Sequence, residues 1–152
     1  EPVLSTVLRI KGNHDFGSSN LLQQLLARAL ASGRYEKHLE GLRRRYAHKA
    51  ELMRQAIGKH FPRAVEVWEP EGGLYFWARL PRKLNSGMNS KLFRSALAHD
   101  VVYVPGELCY AQDPTRPRPN HEMRISYGAV TEPNLRAGIA RLGAVLHQLL
   151  DR

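Results

Sequence analysis

Apolar positions in the first third of the chain recur at helical steps. The stretch "GSSNLLQQLLARALASG", residues 17–33, sets Ser and Asn ahead of an apolar run and Gly at its close. Those are the start and stop signals of a helix. A second, longer helix is predicted from about Arg34 to His60. Tyr35, Leu39, Leu42, Tyr46, Met53 and Ile57 share one face of it, while Arg43, Arg44, Arg45, Lys49, Arg54 and Lys59 fall mostly elsewhere. Pro62 closes it.

The period then changes from helix to strand. "RAVEVWEP" reads as a short strand, followed by a turn at Gly72 and Gly73. Leu74, Phe76, Ala78 and Leu80 then alternate with Tyr75, Trp77 and Arg79. Glycine weakens a strand, so the pair marks a tight turn or a close approach to the backbone. "LNSGMNS" is a loop, and Asn89 or Ser90 caps a helix carrying Leu92, Phe93, Ala96 and Leu97. "VVYV" is a short strand stopped by Pro105 and Gly106, and "AQDPTRPRPN" is a surface loop. "EMRISYG" is a further strand. Thr131 caps a last helix, whose apolar face is Leu135, Ile139, Leu142, Leu146 and Leu149. This order builds an α/β fold of the α+β two-layer type: a small, mostly antiparallel sheet covered by helices, preceded by a long linking helix.

Composition narrows the setting. The 152 residues are 43% hydrophobic and 24% charged, ordinary for a soluble globular protein. No apolar run approaches the roughly 20 residues that span a bilayer, and no signal peptide opens the chain. One cysteine, Cys109, excludes an internal disulfide and a Cys-based zinc site, and a reducing cytoplasm is the simplest setting. It reads as a buried small residue. The net charge of +9 suits either anionic partners or a plain solvated surface. The seven histidines show no metal spacing, so no metal site is expected. No nucleophile elbow, P-loop or dinucleotide fingerprint is present.

Arg124 is the sharpest candidate for chemistry. It lies mid-strand, and an unpaired buried guanidinium is costly. It needs an anion: a bound carboxylate, which its planar fork suits, or a structural partner among Glu69, Glu71 and Glu107. Arg124 and Ser126 face one way; Met123, Ile125 and Tyr127 face the other. Tyr75, on the face opposite Leu74 and Phe76, lines a pocket or packs as a core or interface aromatic.

Four motifs in order resemble the C-terminal part of the fold type I, class I/II aminotransferases that use pyridoxal 5'-phosphate. They are "PEGGLYFWARLP", "VVYVPGELCY", "EMRISYG" and, displaced, "NLRAGIARLGAVL". "GRYEKHLEGLRRRYAHKAELMRQAIGKHFP" is similar to the helix linking that family's two domains. The flavour is that of its aminoadipate and aromatic branch. The resemblance implies that Arg124 binds the substrate α-carboxylate and that Tyr75 and the backbone at Gly73 edge the substrate pocket. Ser19 and Asn20, in "DFGSSN", would reach the neighbouring subunit's cofactor site, so a homodimer is implied. Residues 1–16 would be a lead-in from an absent large domain, and 17–152 the small domain.

One departure limits the expectation. The family's Schiff-base lysine sits in an S-x-x-K segment, and no serine here has a lysine three residues on. No catalytic residue is therefore assigned, and the chain alone is expected to be inactive. The parent would move an amino group between an amino acid and a 2-oxo acid. The alternative is an effector-sensing domain of a winged-helix transcriptional regulator. The motif order argues against a stand-alone nucleic-acid-binding domain.

Overall fold

The structure, a computed structural model, describes residues 2–15, 17 and 19–151. The elements are helices α1 (Pro2–Asp15), α2 (Asn20–Ala31), α3 (Arg34–His60), α4 (Lys91–Ala98) and α5 (Glu132–Leu150), with strands β1 (Glu66–Trp68), β2 (Tyr75–Arg79), β3 (Val104–Pro105) and β4 (Glu122–Ser126). A 3-10 turn covers Gly106–Cys109. Two compact units divide the chain, Glu1–Arg43 and Arg44–Arg152.

The first unit holds α1, α2 and the start of α3. Ser19 caps α2, its side chain accepting from the Leu22 amide. The lead-in expected at the start of the chain is helical from Pro2 to Asp15, with Val3, Val7 and Ile10 at helical spacing. Phe16 and Ser18, inside "DFGSSN", lie outside the described residues. The apolar residues of α1 and α2 are open to solvent, Val3 at 74% and Leu21 at 68% exposure, and α2 buries none of its side chains. No helix among the described residues is long and apolar enough to cross a membrane.

The second unit carries the sheet and the core. The strand order is β1-β2-β4-β3, and every pairing is antiparallel. Alternation along the strands sends Phe76, Ala78, Met123 and Ile125 to one face, all buried. They join Leu52, Met53, Ala56 and Ile57 of α3, Leu92 and Ala96 of α4, and Leu135, Ile139, Leu142, Val145 and Leu146 of α5 in one cluster. Each buried aliphatic side chain of this kind contributes about 1.5–3 kcal/mol. Caps fix the helix starts: Ser90 accepts from the Phe93 amide and Thr131 from the Asn134 amide, and Pro133 sits in the first turn of α5.

Two expectations need correction. "VVYV" is not a four-residue strand, for only Val104 and Pro105 pair with β4. Tyr103 instead turns inward and donates to the Ser86 carbonyl at 2.9 Å, which takes the backbone off the ladder. Burial raises the Tyr103 hydroxyl's pKa far above its ordinary value. Pro105, lacking an N–H, is tolerated because β3 is an edge strand. Cys109 is exposed rather than buried, because the 3-10 turn that carries it leads straight into the proline-rich loop.

Candidate carboxylate-binding face

The core-opposed face of the sheet is built by the alternate residues of β2 and β4. Register sets Tyr75 against Ser126, Trp77 against Arg124 and Arg79 against Glu122. Six polar or aromatic side chains are thus brought to one surface by the same alternation that buries Phe76 and Met123.

Arg124 is half-buried in the middle of that surface. Its Nε is buried and has no hydrogen-bond partner, and none of Glu69, Glu71 and Glu107 forms an ion pair with it. The structural pairing left open by the sequence is therefore not made. Tyr75 covers one side of the guanidinium, whose carbon lies 4.3 Å from the ring centroid. Such a contact contributes about 0.5–2 kcal/mol. An unsatisfied buried donor costs about 1–3 kcal/mol. A carboxylate with two oxygens in the guanidinium plane removes that penalty.

Gly73 stands at the head of β2 with φ +86°, a left-handed conformation natural to glycine. A Cβ at Gly72 or Gly73 would meet nothing in the chain within 4 Å. Backbone conformation, not crowding within the chain, thus explains Gly73. Its carbonyl accepts from Tyr127 Oη at 2.7 Å, which ties the turn to the end of β4 beside Arg124. Tyr127 is itself locked in the core by an edge-on contact with Phe76 at 5.7 Å.

Ser19 and Asn20 lie in the first unit, at the start of α2, and both are exposed. Arg124, Tyr75 and Gly73 lie in the second.

Sequence reasoning missed a polar cluster on the same face. Glu122 is 2% exposed. Its Oε1 accepts from Arg79 Nε at 2.9 Å and its Oε2 from Tyr110 Oη at 2.6 Å. Tyr110 packs edge-on against Trp77 at 6.1 Å, and Arg79 lies over Trp68 at 4.7 Å and near Glu66 at 3.7 Å. The signal was present: residues 75, 77 and 79 alternate, as do 122, 124 and 126. Burial acts to raise the Glu122 pKa, but the hydrogen bonds from Tyr110 and Arg79 outweigh it and hold the carboxyl below its ordinary 4.5. The same bond raises the Tyr110 hydroxyl.

The Glu122 shift has a direct consequence for acid stability. A carboxyl with a depressed folded pKa contributes stability that is present above its ordinary value and lost as pH falls through the folded one. Stability is expected to decline as pH drops below 4.5 toward that lower value. Glu122→Gln should flatten this part of the profile, read as urea midpoint against pH. An unchanged slope in the variant would contradict the assignment.

A cavity of about 390 Å³ in the second unit is lined among others by Met53, Val101, Ile125, Ser126, Leu135 and Arg141. It includes Ser126 but not Arg124 or Tyr75.

Residues 1–142 match the family described as aminotransferase class I and II. The chain belongs to that family. It is similar to the 2-aminoadipate transaminase of Thermus thermophilus, at 32% identity over 86% of this chain and 31% of that protein. It is also similar to YdfD, an uncharacterized HTH-type transcriptional regulator of Bacillus subtilis, at 29% identity over 100% of this chain and 30% of the regulator. Among solved structures, LysN, the alpha-aminoadipate aminotransferase of Thermus thermophilus complexed with N-(5'-phosphopyridoxyl)-L-leucine, superposes with a TM-score of 0.81. Its identity is 31%, covering 99% of this chain and 36% of that one. This aminotransferase-family chain thus spans about a third of the length of the relatives it matches.

Proposed function

We propose that this chain is the small domain of a pyridoxal-phosphate-dependent aminotransferase, in which Arg124 binds the substrate's carboxylate. The observation that carries the reading is the buried, partnerless Nε of Arg124, set beneath the Tyr75 ring. Family membership supports the reaction class: an amino group passes between an amino acid and a 2-oxo acid. Residues 1–16 would lead in from a large domain, and residues 17–152 would form the small one.

Each residue of this chain has a definable task. Arg124 takes the carboxylate through two parallel N–H donors, which fixes the position and rotation of the amino acid. Tyr75 covers one side of the guanidinium, and Gly73 supplies the left-handed turn that leads into β2 at the pocket edge. Trp77, opposite Arg124 in the register, and Tyr110, packed on Trp77, flank the approach to the anchor. Pyridoxal 5'-phosphate supplies the electron sink for charge that develops at the α-carbon. The face at Arg124 fits a carboxylate, and none of the six lysines stands in S-x-x-K spacing to anchor the cofactor. Its covalent anchor would belong to the large domain. Ser19 and Asn20, exposed at the first turn of α2, would meet the cofactor of a second subunit, where helix N–H groups suit a phosphate. The solvent-open apolar residues of α1 and α2 support a homodimer. A cytoplasmic protein without membrane association fits the composition.

A second reading is favoured by the regulator relatives: the same carboxylate-binding face would sense an amino acid for a winged-helix DNA-binding protein. An assay of the full-length protein separates the two. With 2-aminoadipate or an aromatic amino acid and 2-oxoglutarate, the enzyme reading expects turnover to glutamate. Amino-acid-dependent binding to duplex DNA without turnover would replace it with the regulator reading.

A further inference from the structure

Arg124 has a carboxylate two residues away on its own strand and face, and the two do not pair. Positions i and i+2 of a strand are about 6.8 Å apart, well within the combined reach of an Arg and a Glu side chain. Coulomb attraction in a partly dry site would favour their joining. Joining would also fill the fork of Arg124 and shut out any carboxylate ligand. In the structure each oxygen of Glu122 is already engaged, and the carboxyl is thereby turned to other donors: Arg79 Nε donates to Oε1 and Tyr110 Oη to Oε2.

Both donors are themselves held by aromatic neighbours. Arg79 stands directly opposite Glu122 in the register, with its guanidinium over Trp68. Tyr110 is set by its edge-on contact with Trp77, the residue opposite Arg124. Glu122 is paired with Arg79, which leaves Arg124 as the cation of this face without an ion-pair partner.

We propose that Arg79 and Tyr110 are positioning residues that sequester Glu122 and thereby keep Arg124 open for the substrate carboxylate. The proposal rests on the reading of Arg124 as the carboxylate anchor. Losing the sequestering donors turns Glu122 into an internal competitor for the anchor. The effect falls on substrate affinity rather than on the chemical step.

The test is steady-state kinetics of the full-length protein with an amino acid substrate. Arg79→Ala is expected to raise KM about tenfold, equivalent to about 1.4 kcal/mol, with kcat changed less than about twofold. Glu122→Gln placed in the Arg79→Ala background is expected to recover most of that affinity, because a neutral amide no longer competes. Arg79→Lys, which retains a cation, should raise KM less than Arg79→Ala. Tyr110→Phe keeps the ring on Trp77 and the Arg79 pair, so it tests the idea even where Arg79→Ala folds poorly. It is expected to raise KM by a smaller factor in the same direction. A purely structural role would lower the melting temperature and the active fraction but leave KM alone. The proposal is overturned if folded Tyr110→Phe and Arg79→Ala keep the original KM while Arg124→Ala raises it. It is also overturned if Glu122→Gln fails to rescue. Should Arg124→Ala itself leave KM unchanged, the anchor reading falls as well.

Discussion

Replacing Arg124 with alanine in the full-length protein is expected to lower kcat/KM for an amino acid by about a hundredfold or more. Truncating one partner of a buried charge pair costs about 2–5 kcal/mol, and each 1.4 kcal/mol is about tenfold. Most of the loss should appear in KM, because the carboxylate contact is made in the ground state as well as the transition state. Some should appear in kcat, because an untethered amino acid no longer presents its α-carbon in one orientation. Arg124→Lys should recover only part of the activity. A lysine supplies the charge but not the planar fork, and it loses the guanidinium's contact with the Tyr75 ring. Stability should not fall with activity in Arg124→Ala. The variant removes an unsatisfied buried donor, and its melting temperature should hold or rise.

The second large effect concerns the fold alone. Gly143→Ala is expected to destabilise the protein by about 1–3 kcal/mol, although alanine is the better helix former. Gly143 sits inside α5 where a Cβ would overlap the His60 carbonyl oxygen and lie 2.9 Å from its carbon. His60 is the last residue of α3, so the obstruction is backbone and cannot rotate away. The helices would have to separate, opening the cluster that holds Ile57, Leu142 and Leu146. Gly138→Ala, earlier in α5, is the control. Nothing lies within 4 Å of its Cβ, so helix propensity alone acts. Stability should then rise by up to about 1 kcal/mol. Thermal melts of the two variants should move in opposite directions. A Gly143→Ala protein as stable as the original would mean that α5 does not approach α3 this closely.

Much of the fold was legible because it rests on local periodicity. The span of α3 from Arg34 to His60, the caps at Ser90 and Thr131, and the inward face of β4 all follow from spacing and end signals. The site was legible in part. Alternation placed Arg124 and Tyr75, and strand pairing then brought them together. What stayed hidden depends on contacts distant in sequence. Tyr103 leaves the predicted strand to reach Ser86, and Tyr110 comes from an irregular loop to Glu122. No short-range pattern encodes either. The three glutamates named as possible partners of Arg124 were chosen by type, whereas Glu122 was nearer and already bound to Arg79. The face of α1 shows the opposite case: its helical spacing was present and passed over.

The central claim is that Arg124 recognises a carboxylate. The most direct measurement compares an amino acid with the amine that lacks only its carboxylate, in the original protein and in Arg124→Ala. The ratio of their kcat/KM values should be large in the original protein, by about a hundredfold or more, and should collapse toward unity in the variant. A ratio that survives the loss of Arg124 would contradict the account, because another group would then be reading the carboxylate.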